Sequence, residues 1–292
     1  MSFTIDQVNE IKAINLISTI LSLIGELFII FCYYLIPSAR SFSMKLVVSL
    51  VYSDLAYSIA NLMTLVNSNP IVCFIEGYLR TAAVISGSVW VIVMLWVSYS
   101  QTKKFRPDIH KIFTKSLIIN LFIANIPSLT TTILQNVNGT AYFGDELIFC
   151  GVCPDKYEIM LVESVLWAMI LMTGIITWKL LVTLKEKFDS SHLKEYKSIL
   201  IYSVLLALLW LPNTLDRVVM LIAGKPIYFL VVLHIGCTRA AGFLNALVYG
   251  KRLYKKLKNQ IHDQKIRRAV RNSEEKLNKE IALLPNDSSS TR

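Results

Sequence analysis

The stretch Ala13–Ile36, AINLISTILSLIGELFIIFCYYLI, is apolar apart from a few small polar residues and a single charge, Glu26. About 20 such residues in a helix cross the hydrocarbon core of a bilayer, so this stretch predicts a transmembrane helix. Six further apolar stretches follow, and together they predict an all-α membrane protein, a seven-transmembrane helix bundle. Their limits are Leu46–Val66, Phe74–Val97, Ile112–Leu134, Tyr157–Leu180, Ser198–Ala223 and Ile227–Val248.

Composition indicates the same class. The 292 residues are 54% apolar and only 17% charged, with a mean hydropathy of +0.52. Soluble domains are about 25% charged, so this chain is not typical of a cytosolic enzyme or a disordered regulator. The net charge of +10 would suggest nucleic acid as a partner in a soluble protein. In a membrane protein the positive charge instead indicates which side of the bilayer each loop occupies. We therefore expect no nucleic-acid partner.

Loop charges predict the orientation. With the N-terminus outside, the inner loops and the tail hold 23 of the 30 lysines and arginines. The outer loops hold Lys156 and Lys225, with Lys12 at a boundary. The positive-inside rule therefore places the N-terminus outside. The predicted organisation is a short extracellular tail at 1–11, the bundle at 12–250 and a basic cytoplasmic tail at 251–292.

Two features of the predicted outer face agree with this orientation. Asn138-Gly139-Thr140 is an N-glycosylation acceptor in the second outer loop. Cys73, Cys150 and Cys153 lie at or near the outer face, on the oxidising side. A disulfide bond from Cys73 to the second outer loop would hold that loop over the third span, and its partner is either Cys150 or Cys153.

Ionisable residues inside spans are costly and mark functional positions. The candidates for ligand binding are the ionisable residues inside the third, fifth, sixth and seventh predicted spans. They are Arg80, Glu163, Asp216, Arg217, His234 and Arg239. Guanidinium groups suit an anionic ligand, because they bind carboxylate or phosphate in a forked geometry. The alternative is that these charges pair with one another. Glu76 and Arg80 have the spacing of an intrahelical ion pair, whereas Asp216 and Arg217 are adjacent and need partners elsewhere.

The tail predicts a further element. Leu253, Leu257 and Ile261 recur at four-residue intervals among lysines and arginines. This pattern predicts a short amphipathic cytoplasmic helix after the seventh span, lying on anionic inner-leaflet lipid. A solvated basic segment is the alternative.

Catalytic sites are not indicated. Of the four histidines only His234 lies in a span, too few for an intramembrane zinc site. Asp54 and Asp216 sit at different predicted depths, which does not suit an aspartyl pair. The sequence predicts no enzyme, no cofactor and no metal site.

Three short motifs in the second, sixth and seventh spans resemble those of G protein-coupled receptors. They are Ser53-Asp54-Leu55, Trp210-Leu211-Pro212 and Asn245-Ala246-Leu247-Val248-Tyr249. The resemblance implies that Asp54, Asn245 and Tyr249 form a polar activation switch, with Trp210 and Pro212 as a hinge in the sixth helix. Alanine replaces the proline usual in the seventh-helix motif.

Two other segments resemble the cyclic AMP receptor-like and secretin-like receptors. The third span carries Cys73-Phe74-Ile75-Glu76-Gly77-Tyr78-Leu79 and Ser88-Val89-Trp90, and the seventh carries Gly242-Phe243-Leu244-Asn245. The inner end of the third span reads Ser98-Tyr99-Ser100-Gln101, without the Asp-Arg-Tyr of ordinary rhodopsin-like receptors. The N-terminal tail is far shorter than the hormone-binding domain of secretin receptors.

The resulting hypothesis is a multi-pass plasma-membrane receptor. An extracellular small molecule or short peptide would bind within the bundle, and the cytoplasmic partner would be a heterotrimeric G protein. A seven-helix transporter or channel with charges lining the substrate path is the alternative from another class. A receptor-shaped protein that no longer couples is the third.

Overall fold

The structure is a computed structural model that describes residues 3–37, 40–64, 70–102, 109–138, 143–146, 149–152, 156–187 and 190–282. Within these ranges the backbone alone is described at 70, 109–110, 131–162, 186–199 and several positions in the last third of the chain.

Eight helices and one two-stranded hairpin make up the described chain. They are α1 (Ile5–Leu35), α2 (Phe42–Met63), α3 (Pro70–Thr102), α4 (Ile109–Asn138), β1 (Phe143–Glu146), β2 (Phe149–Val152), α5 (Lys156–Lys187), α6 (Ser190–Ala223), α7 (Tyr228–Arg239) and α8 (Ala241–Ala282). The first six predicted apolar stretches each fall largely within one helix, and the seventh, Ile227–Val248, is divided between α7 and the start of α8. The hairpin, between α4 and α5, is an addition to the all-α prediction.

Burial in α1 is inverted relative to a soluble protein. Its buried positions include Asn15, Thr19, Ser22 and Glu26, whereas large apolar side chains point outward. Ile24 is 60% exposed and Phe31 likewise 60%. An apolar exterior this wide is energetically unfavourable in water, whereas it carries no such cost against lipid tails. The inverted pattern is the strongest structural sign of a membrane protein.

Five helices, α1 to α5, contain stretches long and apolar enough to span a membrane. The adjacent segments Tyr228–Arg239 and Ala241–Gly250 pass the same test together, with a bend of 44° between them, which gives six if they form one span. The multi-pass prediction is therefore confirmed. The seventh crossing, expected in α6, and the outside N-terminus remain predictions.

The helices α1 to α4 pack side by side in chain order, as do α6 and α7, and α8 returns to pack along α1. The main apolar core joins α1, α2, α3, α5 and α8, around residues such as Leu50, Trp90 and Leu180. The Trp90 ring stacks on Phe113 of α4, with 5.6 Å between centroids. Both strands of the hairpin contact α3, and we call this side of the molecule the hairpin end.

Helix ends have local causes. Thr4 caps α1 through a reciprocal pair of hydrogen bonds with Gln7, so the helix begins inside the predicted extracellular tail. Gly224 follows α6 with a φ of 66°, the left-handed conformation that glycine adopts at helix C-termini.

The tail differs from its prediction. No separate short helix follows the seventh span, because α8 runs unbroken from Ala241 through Gly250 to Ala282. Leu253 is 1% exposed and belongs to the main core, and Leu257 packs against that core. The apolar residues expected to face lipid thus partly face the bundle. Gly250 lies inside this helix and does not end it. Its missing side chain makes room for the Phe28 ring, which lies 3.2 Å from where a Cβ would stand.

Candidate functional site

Charged and polar side chains from α5, α6 and α7 meet towards the hairpin end. We call Glu163, Asp216, Arg217, His234 and Arg239 the charged cluster. Glu163 is 8%, Asp216 3% and Arg239 3% exposed, so these groups are removed from solvent. The sequence placed all five in spans, and the structure brings them together.

Glu163 links α5 to α6. Its Oε1 accepts a hydrogen bond from Asn213 Nδ2 at 3.3 Å and lies 3.9 Å from Arg217 Nε. The ion pair is at the long limit of such contacts, so it is weaker than a forked pair at normal hydrogen-bond distance. Asn213, one position after Pro212, is buried and was not predicted.

Asp216 links α6 to α7. Its Oδ2 lies 3.1 Å from His234 Nδ1, while its Oδ1 has no hydrogen-bond partner. Arg217 and Arg239 both lie close enough to His234 for electrostatic interaction. The sequence argument that Asp216 and Arg217 need different partners is therefore right. Asp216 faces α7, and Arg217 faces α5.

Arg239 ends α7 beside the bend into α8. Its guanidinium carbon stands over the Tyr57 ring of α2, 4.8 Å from the centroid. This is cation–π distance, and the contact joins α2 to the seventh helix. Tyr57 is a second residue that sequence reasoning missed.

Arg80 has a different setting. It is ion-paired with Glu76, one turn earlier on α3, and both side chains are buried. The intrahelical pair expected from the spacing is thus present. Neighbouring Tyr78 donates a hydrogen bond to Asn125 Oδ1 at 2.6 Å, which fastens α3 to α4.

Below the charged cluster lies a small cavity of about 30 Å³, space for roughly one or two waters. Its lining comes from α2, α3, α6, α7 and α8, and includes Asp54, Tyr57, Ser88, Trp210 and Thr238. Asp54 also accepts a hydrogen bond from Asn245 Nδ2 of α8. Two of the predicted switch residues are therefore in direct contact, and Trp210 borders the same cavity.

The remaining switch residues are also located. Pro212 lies inside α6, where its ring nitrogen cannot donate to the helix ladder. Tyr249 is 4% exposed and belongs to the main core. The positions of Pro212 and Tyr249 do not test whether these residues take part in a switch, so that role remains a prediction.

A polar network around Glu26 was not assigned a role from sequence. Glu26 Oε1 accepts hydrogen bonds from Ser22 and Ser58, each at 2.9 Å, and Ser22 Oγ accepts from the backbone N–H of Gly242 at 2.8 Å. The network joins α1, α2 and α8. A Cβ on Gly242 would overlap the Glu26 carboxylate and the Ser22 hydroxyl, so a larger residue would have to displace this network.

The features predicted for the outer face are described in part. Cys73, at the hairpin end of α3, is disulfide-bonded. The side chain of Cys150 in β2 and all of Cys153 lie outside the described part, so the choice between them stays open. Of the glycosylation motif at Asn138, residues 139–140 are likewise outside it.

The chemistry available here is ionic and hydrogen-bonding. Among the described residues no three His, Cys, Asp or Glu side chains form a metal-binding group. The charged cluster holds both signs of charge, partly committed to each other at long distance. Such a site can exchange an internal partner for a ligand's carboxylate, phosphate or ammonium group.

No protein-family model matches the sequence. The chain is 24% identical over 259 residues to a protein named G-protein coupled receptor 1 from Arabidopsis thaliana. The match covers 82% of this chain and 77% of that protein. Together with the apolar helices, this similarity supports a receptor-like, multi-pass membrane protein. It does not support membership of the cyclic AMP receptor-like or secretin-like receptors in particular, and that resemblance remains a prediction.

Proposed function

We propose that this chain is a plasma-membrane G protein-coupled receptor whose ligand binds at the charged cluster. The observation that carries the proposal is the meeting of Glu163, Arg217 and the Asp216–His234 pair at one end of a multi-pass bundle. Buried charge in a membrane is expensive, and a site that holds both signs of charge close together is suited to exchange an internal partner for a ligand.

The ligand class follows from the same contacts. Arg217 Nε lies 3.9 Å from Glu163 Oε1, so a ligand carboxylate or phosphate at normal hydrogen-bond distance would make a stronger contact with the guanidinium group than this pair does. The unpartnered Asp216 Oδ1 offers an acceptor for a ligand N–H or O–H group. A small anionic or zwitterionic molecule, or a short peptide bearing both groups, matches this pair of sites.

Transmission to the other face would pass through α7 and α8. The charged cluster ends at Arg239, where the axis bends by 44°, and the Asp54–Asn245 contact lies six residues further along the chain. Ligand binding to Asp216 or Arg217 would alter how α6 and α7 pack. The population would then shift towards a bundle with an open inner face, with Trp210 and Pro212 as the pivot.

The sidedness rests on the positive-inside rule. It puts the hairpin end, with Asn138 and the Cys73 disulfide bond, outside the cell. The basic loops near Lys103–Lys111 and Lys185–Lys197 would then border the G protein. Lysines and arginines directly after Gly250 would lie near anionic inner-leaflet lipid.

The decisive experiment is a ligand screen with nucleotide exchange on purified heterotrimeric G proteins as the readout. The protein would be reconstituted in nanodiscs, and the panel would contain organic anions, amino acids, cyclic nucleotides and short peptides. We expect at least one ligand to accelerate exchange, and Arg217→Ala to weaken that response. Asp6→Ala, which alters an exposed carboxylate in the first turn of α1, serves as the control.

The transporter alternative is tested on the same preparation. Uptake or current in sealed vesicles, with the same compounds, would show flux if the charged cluster lines a path. Flux without nucleotide exchange would overturn the receptor proposal.

A further inference from the structure

The part of α8 beyond the bundle has a surface that neither the charged cluster nor the proposed G-protein site uses. We call Lys258–Arg271 the tail segment. Its described side chains are exposed apart from Gln260, which is half-buried. Five are lysine or arginine, namely Lys258, Lys265, Arg267, Arg268 and Arg271, against one acidic residue, Asp263. The segment is therefore a strongly basic, solvent-exposed helix.

Apolar side chains interrupt this basic surface. Ile261 is 45%, Ile266 49% and Val270 50% exposed, large values for branched aliphatic residues on a helix. Single exposed apolar residues are common on helices, so it is their arrangement among the basic side chains that indicates a partner.

The apolar residues lie on two opposite sides of the helix. At about 100° per residue, Ile261 and Val270 point roughly half a turn apart, while Ile266 and Val270 share a side. Tyr254, 61% exposed, lies on the same side as Ile261. A flat bilayer surface can cover only one of these sides.

The course of the helix also disfavours the bilayer as the occupant. The tail segment belongs to the same unbroken helix as Asn245 and Tyr249. It therefore continues outward from the end of the span, whereas a helix lying on the membrane would need a break after Gly250.

We propose that the tail segment binds an acidic Ca²⁺-sensor protein whose two apolar, methionine-lined grooves close around the helix. Basic helices with spaced apolar anchors are the targets of such sensors. Ca²⁺ opens the grooves, and their flexible methionines accept branched aliphatic anchors. One groove takes Ile261 with Tyr254, and the other takes Ile266 with Val270. The acidic rim pairs with the five cationic side chains. This inference does not depend on the proposed receptor activity.

Calmodulin is the probe for the test. The full chain is reconstituted in nanodiscs of neutral phosphatidylcholine, and binding of labelled calmodulin is measured with Ca²⁺ and with a chelator. We expect saturable binding that is lost on chelation. Ile261→Ser and Ile266→Ser should each weaken it about tenfold, because each removes one buried anchor. Gln264→Ser, an exposed polar change between them, should leave binding unchanged.

Trypsin cleavage after Arg267 and Arg268 distinguishes a bound sensor protein from the membrane as the occupant of the tail segment. If the proposal holds, Ca²⁺-calmodulin protects these sites in neutral nanodiscs, and anionic lipid alone does not. Protection by phosphatidylserine nanodiscs without calmodulin would assign the segment to the membrane and overturn the proposal. Binding that is absent, independent of Ca²⁺, or sensitive to only one of the two isoleucine variants would overturn it as well.

Discussion

The guanidinium group of Arg239 stands over the Tyr57 ring at 4.8 Å, inside the bundle and beside the bend between α7 and α8. A desolvated cation–π contact of this kind contributes about 2 kcal/mol. It ties the bent seventh helix to α2, the helix that also carries Asp54. Arg239 thereby connects the charged cluster with the polar contacts nearer the middle of the bundle.

Removing the ring should loosen this connection. We expect Tyr57→Leu to lower the free energy of unfolding by about 2 kcal/mol, since a leucine has no aromatic face for the guanidinium. Tyr57→Phe keeps the face and should change stability little. Thermal unfolding of both variants in the same detergent gives the comparison. Equal losses for the two variants would assign the effect to the hydroxyl group.

Glycine at 242 is expected to be essential for the contact between α1 and α8. Gly242→Ala would force its new Cβ against the Glu26 carboxylate and the Ser22 hydroxyl, and overpacking of this kind costs about 1–3 kcal/mol. Gly236→Ala is the matched control in α7, because the nearest atom to its Cβ would be Ile14 Cγ2 at 3.7 Å. Thermal stability should fall for the first variant and hold or rise for the second. A similar fall in both would contradict the close approach at Gly242.

The Asp54–Asn245 hydrogen bond should matter for both stability and basal signalling. Asn245→Ala removes the amide donor and leaves the Asp54 carboxyl short of a partner, a loss of about 1–3 kcal/mol. Leu247→Ala, on the exposed side of the same helix, is the control and should cost less. Melting temperature reports the first effect. Basal nucleotide exchange, altered by Asn245→Ala alone, reports the second.

Two substitutions at Arg217 test its role in ligand binding, one that removes its charge and one that keeps the charge but changes the shape of the side chain. Once a ligand is found, Arg217→Ala should raise its half-maximal concentration at least about tenfold, the loss expected for one charge-assisted contact. Arg217→Lys should recover part of this, because lysine keeps the charge without the forked geometry. Lys225→Ala removes an exposed cation in the turn between α6 and α7 and should leave the response unchanged. An equal response in all three variants would place the ligand elsewhere.

Sequence patterns predicted the helices well because lipid imposes long apolar runs, and Ala13–Ile36 shows this in its residues alone. They also predicted that neighbouring Asp216 and Arg217 need partners elsewhere, since adjacent positions diverge around a helix axis, and the structure gives them partners on α7 and α5. What they missed depends on which helices meet. Ser22, Ser58 and Gly242 are ordinary residues until α1, α2 and α8 are packed together around Glu26.

The tail shows the same limit at another point. The recurrence of Leu253, Leu257 and Ile261 was correctly linked to a helix, but their apolar side chains do not share one environment. Leu253 is buried in the core and Ile261 is exposed. The predicted bundle ends at residue 250, but the helix continues through Gly250, whose small size allows the contact with Phe28.

The unbroken course of α8 has a mechanical consequence. Its 42 residues form a helix about 63 Å long, and the part as far as Leu257 packs against the bundle. The 25 residues from Lys258 to Ala282 extend beyond it for about 38 Å. If this part stays straight, a tilt of ten degrees where it leaves the bundle would move its far end by about 7 Å, so a protein bound to the tail would experience a small repacking of the helices as a large displacement.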